Sequence, residues 1–325
     1  MRTYPSIGRL RNDTLRTAED HADTVSTLGT AFAASYPADE GFRTTVPRYL
    51  QLLDTFRSRF GEGECFLARA PGRINLIGEH TDYNGCPVLP MAVDRDIAAV
   101  VRPRRDRKIL VDSMQEGFGR REFQVDTTIP AFETGDWGNY PKAAVQWLLG
   151  STMLGGSSPP SGAGSLHGYE MLIHGTIPAD GGMSSSSALV VLSALALLAS
   201  NDVSADRLEL AQGMAEAERY VGTQGGGMDQ AASLNGVRDH ALRIDFHPLS
   251  VTSVPMPAGY SFVVTHSLVR AAKTQGAMDR YNRRSAECRM ATALIAKAIA
   301  GMARNDPRIH LIGDLTPART GLPAE

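Results

Sequence analysis

The chain has 325 residues, 42 % of them hydrophobic and 21 % charged, with a formal net charge of −2. That length exceeds what one small core fills, so two domains are expected. The near-neutral balance excludes a global field for nucleic acid or an anionic membrane. Cys65, Cys86 and Cys288 lie too far apart for a metal pair and read as free thiols of a reducing compartment. No apolar stretch follows the N-terminal Met-Arg-Thr-Tyr-Pro, and the longest apolar run, residues 188–199, is interrupted by Ser193. It is too short to span a bilayer, so a soluble, cytoplasmic protein with no membrane partner is expected.

In chain order, residues 1–45 are polar and weakly periodic and read as a helical or partly ordered extension. Tyr49, Leu50, Leu52, Leu53 and Phe56 have helical spacing that ends before Gly61. Residues 66–70, 97–102 and 108–112 read as strands, the last two separated by a solvated basic turn at 102–108. Residues 151–168, rich in Gly, Ser and Pro, form a surface loop. A strand at 169–175 follows, then helices over 185–199 and 207–221, a buried strand at 260–266 and a helix over 285–302. Strands and helices mix without strict alternation, which predicts an α+β fold rather than a doubly wound sheet.

Four constellations carry chemistry. Residues 69–90 place Arg73, Glu79, His80, Asp82 and Tyr83 within eleven positions, between a Pro-Gly and an Asn-Gly turn. Core packing does not ask for that density of donors and acceptors. A site that reads a polyol or sugar does, because each hydroxyl needs a fixed partner once water is excluded. Residues 178–187, Pro-Ala-Asp-Gly-Gly-Met-Ser-Ser-Ser-Ser, follow a strand and open a helix. Gly181 and Gly182 let backbone amides approach a ligand, and the helix start favours an anion such as phosphate. The segment lacks the Gly-Lys-Ser/Thr ending of a Walker loop, and a plain helix cap is the competing reading.

The third constellation, Gly225-Gly-Gly-Met-Asp-Gln230, presents Asp229 from bare backbone, either as an acid–base group or as a turn cap. Glu218, near the end of the preceding helix, could reach a magnesium ion or lie in solvent. The fourth, Tyr281-Asn-Arg-Arg284, either starts a helix or aims a hydroxyl into the sugar pocket. Together these supply the parts of a phosphoryl transfer from nucleotide to sugar.

Residues 72–83, Gly-Arg-Ile-Asn-Leu-Ile-Gly-Glu-His-Thr-Asp-Tyr, resemble the galactokinase signature. The Gly/Ser loop is similar to the phosphate-binding motif of the GHMP small-molecule kinases, and Gly-Gly-Met-Asp-Gln to the motif carrying their essential Asp. All three stand in the family's order over about residues 45–300. Residues 218–230 and the four-serine loop look closer to the eukaryotic-type branch, which contains N-acetylgalactosamine kinases and fungal galactokinases.

The resemblance implies a two-domain GHMP kinase fold. Residues 1–45 would be an extension. Residues 46–240 would form an N-terminal α/β domain like ribosomal protein S5 domain 2, and 241–325 part of a ferredoxin-like α+β domain. It implies that Asp229 holds or deprotonates the sugar C1 hydroxyl, with Arg73 beside it. Glu79, His80, Asp82, Tyr281 and the backbone at Gly226 would bind the sugar. Gly181, Gly182, Ser184, Ser185, Ser186 and Ser187 would cradle the ATP phosphates, and Ser186 and Glu218 would hold Mg2+. Trp137 and Tyr140 lie in a segment that runs near the nucleotide in relatives; core packing is the role expected here.

Two departures stand out. Asp180 occupies a phosphate-loop position where relatives carry a small residue, and it is expected to point to solvent because a carboxylate would repel the phosphates. The residues after 302 lack the family's third, Gly-rich motif, so the second domain is expected to be truncated. The implied activity is ATP- and Mg2+-dependent phosphorylation of D-galactose, with N-acetylgalactosamine and L-arabinose as alternatives. A reading of another class is a non-catalytic sensor that binds galactose and ATP.

Overall fold

The computed structural model describes residues 4–19, 40–154, 166–178, 181–265, 267, 275–298 and 309–320. Helices α1 (Ile7–Glu19) and α2 (Glu40–Phe60) precede strand β1 (Phe66–Ile77). Next come β2 (Leu89–Pro103), β3 (Lys108–Ser113), β4 (Arg121–Gln124), α3 (Asn139–Gly150) and β5 (Tyr169–Gly175). Helices α4 (Ser185–Ser200), α5 (Arg207–Ala217) and α6 (Met228–Asn235) lead to the hairpin β6 (His240–Phe246) and β7 (Leu249–Pro255). Helix α7 (Gln275–Ala298) and the short α8 (Pro317–Thr320) follow.

The five-stranded sheet has the order β1-β2-β5-β3-β4, antiparallel except for the parallel pair β3–β5. Residues Ile97 to Val101 of β2 are all buried because both faces of the sheet are covered. Alternation then divides them: Ile97, Ala99 and Val101 join a core with α3 to α6, and Ala98 and Val100 a second core with α1 and α2. Full burial of each large aliphatic side chain contributes about 1.5–3 kcal/mol. Helix α4 is apolar around its circumference, as its place in the middle of the larger core requires. Helix α5 is capped by Asp206, whose carboxylate accepts from the amides of Leu208 and Glu209. The β6–β7 hairpin is tied to this body by reciprocal bonds between Val88 and Ile244, and Leu242 and Ile244 lie in its core.

The α+β reading holds, and several elements extend beyond their expected limits. The helix expected around residues 49–56 starts at Glu40, and the strand expected at 66–70 continues to Ile77. The helix expected over 207–221 ends at Ala217 and gives way to a 3-10 turn, Glu218–Val221. Tyr281 lies within α7, which begins at Gln275 rather than 285. The basic turn is only partly solvated, since Arg102 and Arg104 both engage the buried carboxylate of Glu170.

One expectation fails: residues 260–265 form no strand, and Tyr260 and Val263 are 80 % and 86 % exposed. Their apolar run meets no strand edge among the described residues, and strand propensity without a pairing partner does not make a strand. Asp180, residues 155–165, His266 and residues 299–302 lie outside the described residues. No described helix is long and apolar enough to cross a membrane, and all three cysteines are free.

Candidate active site

Strand β1 reaches the site through two register shifts, between Pro71 and Arg73 and between Asn75 and Ile77. At the first, Gly72 lies so close to the next motif that a Cβ would sit 2.8 Å from the Met183 carbonyl oxygen. Arg73 then joins three distant segments. Its backbone N–H donates to Met183 O (3.3 Å), its Nη1 to Gly182 O (2.8 Å) and its Nε to Asp229 Oδ1 (2.7 Å). Burial works against the Arg73 charge. Asp229, with Glu79 and Asp82, outweighs it and holds the guanidinium pKa above its ordinary value. Asp229 occupies the first turn of α6, entered through Gly227 at φ +105°, a conformation suited to glycine.

The polar cluster that follows β1 is a compact turn. Thr81 Oγ1 donates to Gly78 O (2.7 Å) and Asn84 Nδ2 to His80 O (3.0 Å). Asp82 is buried, and its carboxylate accepts from the Gly226 amide at 3.1 Å. The two backbones touch: a Cβ on Gly226 would lie 2.2 Å from the Asp82 carbonyl carbon. Burial first, and then the charge of Asp229, push the Asp82 pKa up despite the backbone bonds it accepts. Glu79 is exposed and accepts from Asn75 Nδ2 (3.0 Å), a contact that positions it. His80 Nδ1 lies 2.9 Å from the Tyr83 hydroxyl. The Tyr281 ring closes this side, 5.6 Å from the rings of both His80 and Tyr83. Burial and then the charges of Asp82 and Asp229 raise the Tyr281 pKa, so the phenol keeps its proton.

The Gly/Ser segment turns through Gly182 at φ +72° and Ser184 at φ +60° into the N-terminus of α4. Ser184 Oγ is buried without a partner, an arrangement that costs about 1–3 kcal/mol unless a ligand supplies one. Gly181, Gly182, Ser184 and Ser185 are partly open, whereas Ser186 and Ser187 are buried in the first turn of α4. Ser187 Oγ donates to Glu218 Oε1 (2.5 Å) and lies 3.4 Å from Asp229 Oδ2. Glu218 is only 5 % exposed.

The structure therefore brings the phosphate-loop candidates, Glu218, Asp229 and Arg73 together, with Asp82 and Tyr281 beside them. Sequence reasoning singled out Ser186 with Glu218, and Ser187, one residue on, donates to Glu218. Four consecutive serines look alike in sequence, and only the helical phase of α4 separates them. Met183 and Asn75 were not singled out at all, because one acts through its carbonyl and the other through a neighbour. Trp137 is buried in the core, with Tyr140 packed against it. Among the described residues no group of three or more His, Cys, Asp or Glu could hold a metal alone.

Residues 54–103 match the galactokinase galactose-binding signature, and residues 139–237 match the GHMP kinases N terminal domain. A galactokinase of Dictyostelium discoideum is 38 % identical over 265 residues, covering 79 % of this chain and 51 % of that protein. A galactokinase of Schizosaccharomyces pombe is 33 % identical over 267 residues, covering 77 % and 50 %. The chain thus spans about half the length of the curated relatives it matches. The crystal structure of Lactococcus lactis galactokinase complexed with galactose superposes with a TM-score of 0.62 at 27 % identity, covering 83 % of this chain and 70 % of that one.

Proposed function

We propose that this chain, which belongs to the galactokinase family of the GHMP kinases, transfers phosphate from ATP to the C1 hydroxyl of D-galactose. The observation that supports this most is the Arg73–Asp229 pair, held between a helix-N-terminal anion cradle and a dense hydroxyl-reading turn. In this reading Glu79, His80, Asp82, Tyr281 and the Gly226 backbone bind the sugar. Gly181, Gly182 and Ser184 to Ser187 hold the ATP phosphates.

Asp229 accepts the C1 hydroxyl proton or orients that hydroxyl, with the Arg73 guanidinium beside it as counter-charge. Arg73 also faces the carbonyl side of the cradle, where it stabilises charge spreading over the transferring phosphoryl group. Glu218, with the hydroxyls of Ser186 and Ser187 on the first turn of α4, offers the few hard oxygen donors that magnesium takes alongside phosphates. Magnesium would neutralise phosphate charge there. Residues 1–45 would be an extension, 46–240 the N-terminal kinase domain and 241–325 part of a C-terminal domain, and free thiols fit a cytoplasmic setting.

The test is steady-state phosphorylation of galactose, N-acetylgalactosamine and L-arabinose by the purified chain. Galactose is expected to give the highest kcat/KM. Turnover favouring another sugar would reassign the substrate. No turnover on any sugar, with galactose and ATP still bound, would replace the enzyme by a sensor.

A further inference from the structure

Strand β2 lies between β1 and β5, and both neighbours run antiparallel to it. They therefore run in the same direction, and the register shift of β1 lies level with the end of β5. On one side Pro71 is the last β1 residue paired before the shift to Arg73, and its partner is Asp96. On the other, β5 ends at Gly175, and Thr176, the next residue, donates its amide to Asp96 O (2.8 Å). The Asp96 amide donates in turn to Thr176 Oγ1 (3.0 Å). One residue is thus the rung at the register shift just before Arg73 in β1 and the last rung beside the end of β5, the strand that leads to the Gly182–Met183 turn.

The Asp96 side chain is fully buried beside two arginines. Its carboxylate meets Arg69 Nε at 2.6 Å and Arg48 Nη1 at 2.7 Å. Arg48, on α2, also donates to His174 Nδ1 (2.8 Å) and His174 O (2.7 Å). None of these residues belongs to the site described above. A buried ion cluster of this kind adds little net stability over packed apolar groups, because desolvation offsets the attraction. What it does supply is fixed geometry. Arg69 stands four residues before Arg73, and Thr176 six before Gly182. The two segments meet again where Gly72 and Arg73 press on Met183 O and Gly182 O, with no slack for slippage.

We propose that Asp96 is a positioning residue that ties the register shift of β1 to the end of β5, so that Arg73 and the Gly182–Met183 carbonyls meet in register. The proposal deepens the kinase reading and rests on it for its kinetic consequence. Asp96→Asn leaves two buried cations underneutralised and can unfold the chain, so Arg69→Gln and Thr176→Val carry the test.

The first readout is the Nε–H signal of Arg73 in arginine-labelled protein, which its bond to Asp229 shields from exchange. In both variants that signal is expected to shift and exchange about tenfold faster while the bulk of the amide spectrum stays in place. The second is kinetics: kcat is expected to fall about tenfold or more, with galactose affinity measured without ATP unchanged. An unmoved Arg73 signal, or a kcat within twofold of wild type, would overturn the proposal. If the parent chain shows no turnover, the kinase reading fails, and the Arg73 signal still decides the positioning role.

Discussion

The Ser187 hydroxyl donates to Glu218 Oε1 over 2.5 Å, joining the first turn of α4 to the turn that follows α5. This contact brings a buried carboxylate to the mouth of the anion cradle. Glu218→Gln keeps the shape and removes the charge. It is expected to raise the magnesium concentration for half-maximal activity about tenfold or more. A magnesium titration checks this, and coincident curves would take Glu218 out of the metal site. Parallel titrations of Ser186→Ala and Ser187→Ala show which hydroxyl works with it.

Asp229 is 27 % exposed through its side chain and sits at a helix start, so the core does not depend on it. Asp229→Asn is expected to lower kcat by about 10²–10⁴ while thermal unfolding shifts by only a few degrees. Residual activity above a hundredth of wild type, about the least such a group contributes, would argue against acid–base work at this position.

Gly226 is fixed by contact rather than by dihedral freedom. An added Cβ would lie 2.2 Å from the Asp82 carbonyl carbon and 2.3 Å from the Tyr83 amide nitrogen, and neither backbone atom can rotate away. Gly226→Ala is therefore expected to push the glycine loop off the sugar-reading turn. Calorimetry should show galactose binding weakened about tenfold or more, as follows when a site is displaced by about an ångström. Unchanged affinity would mean that the two loops part without consequence for the sugar.

His174 accepts at Nδ1 from Arg48, which requires a neutral ring. Burial, and then the Arg48 charge, hold its pKa below the ordinary 6.5, with Asp96 pulling the other way. The unfolded chain thus binds the proton first on acidification. The contribution of His174 is complete above about pH 6.5 and is lost as the pH falls below it. Urea midpoints at pH 7.5 and 5.0 should fall further in wild type than in His174→Gln. Equal losses would place the acid sensitivity elsewhere.

Periodicity made the larger core legible. The run at 97–101 and the helix at 185–199 are apolar enough that few other placements would bury them. Strands β4 and β7 were missed because they are short segments with exposed, polar faces, and β6 because its buried residues Ala241, Leu242 and Ile244 are interspersed with charged ones. Helix α6 was missed because its glycine-rich entry reads as a turn. In the site, residues that act through side chains stood out by chemical type. Contacts made through backbone or burial, such as the Met183 carbonyl and the Asp96 ion cluster, carry no mark of chemical type in the sequence. The exposed run at 260–265 failed for the converse reason: composition reports what a segment prefers, not whether a neighbour exists.

That run has a practical consequence. Tyr260, Phe262, Val263 and Val264 are all exposed, and Met290, Leu294 and Ile295 of α7 also face solvent. Exposed apolar side chains on neighbouring molecules attract one another. Self-association through this surface, growing with protein concentration, is therefore expected, and kinetics are best read in dilute solution.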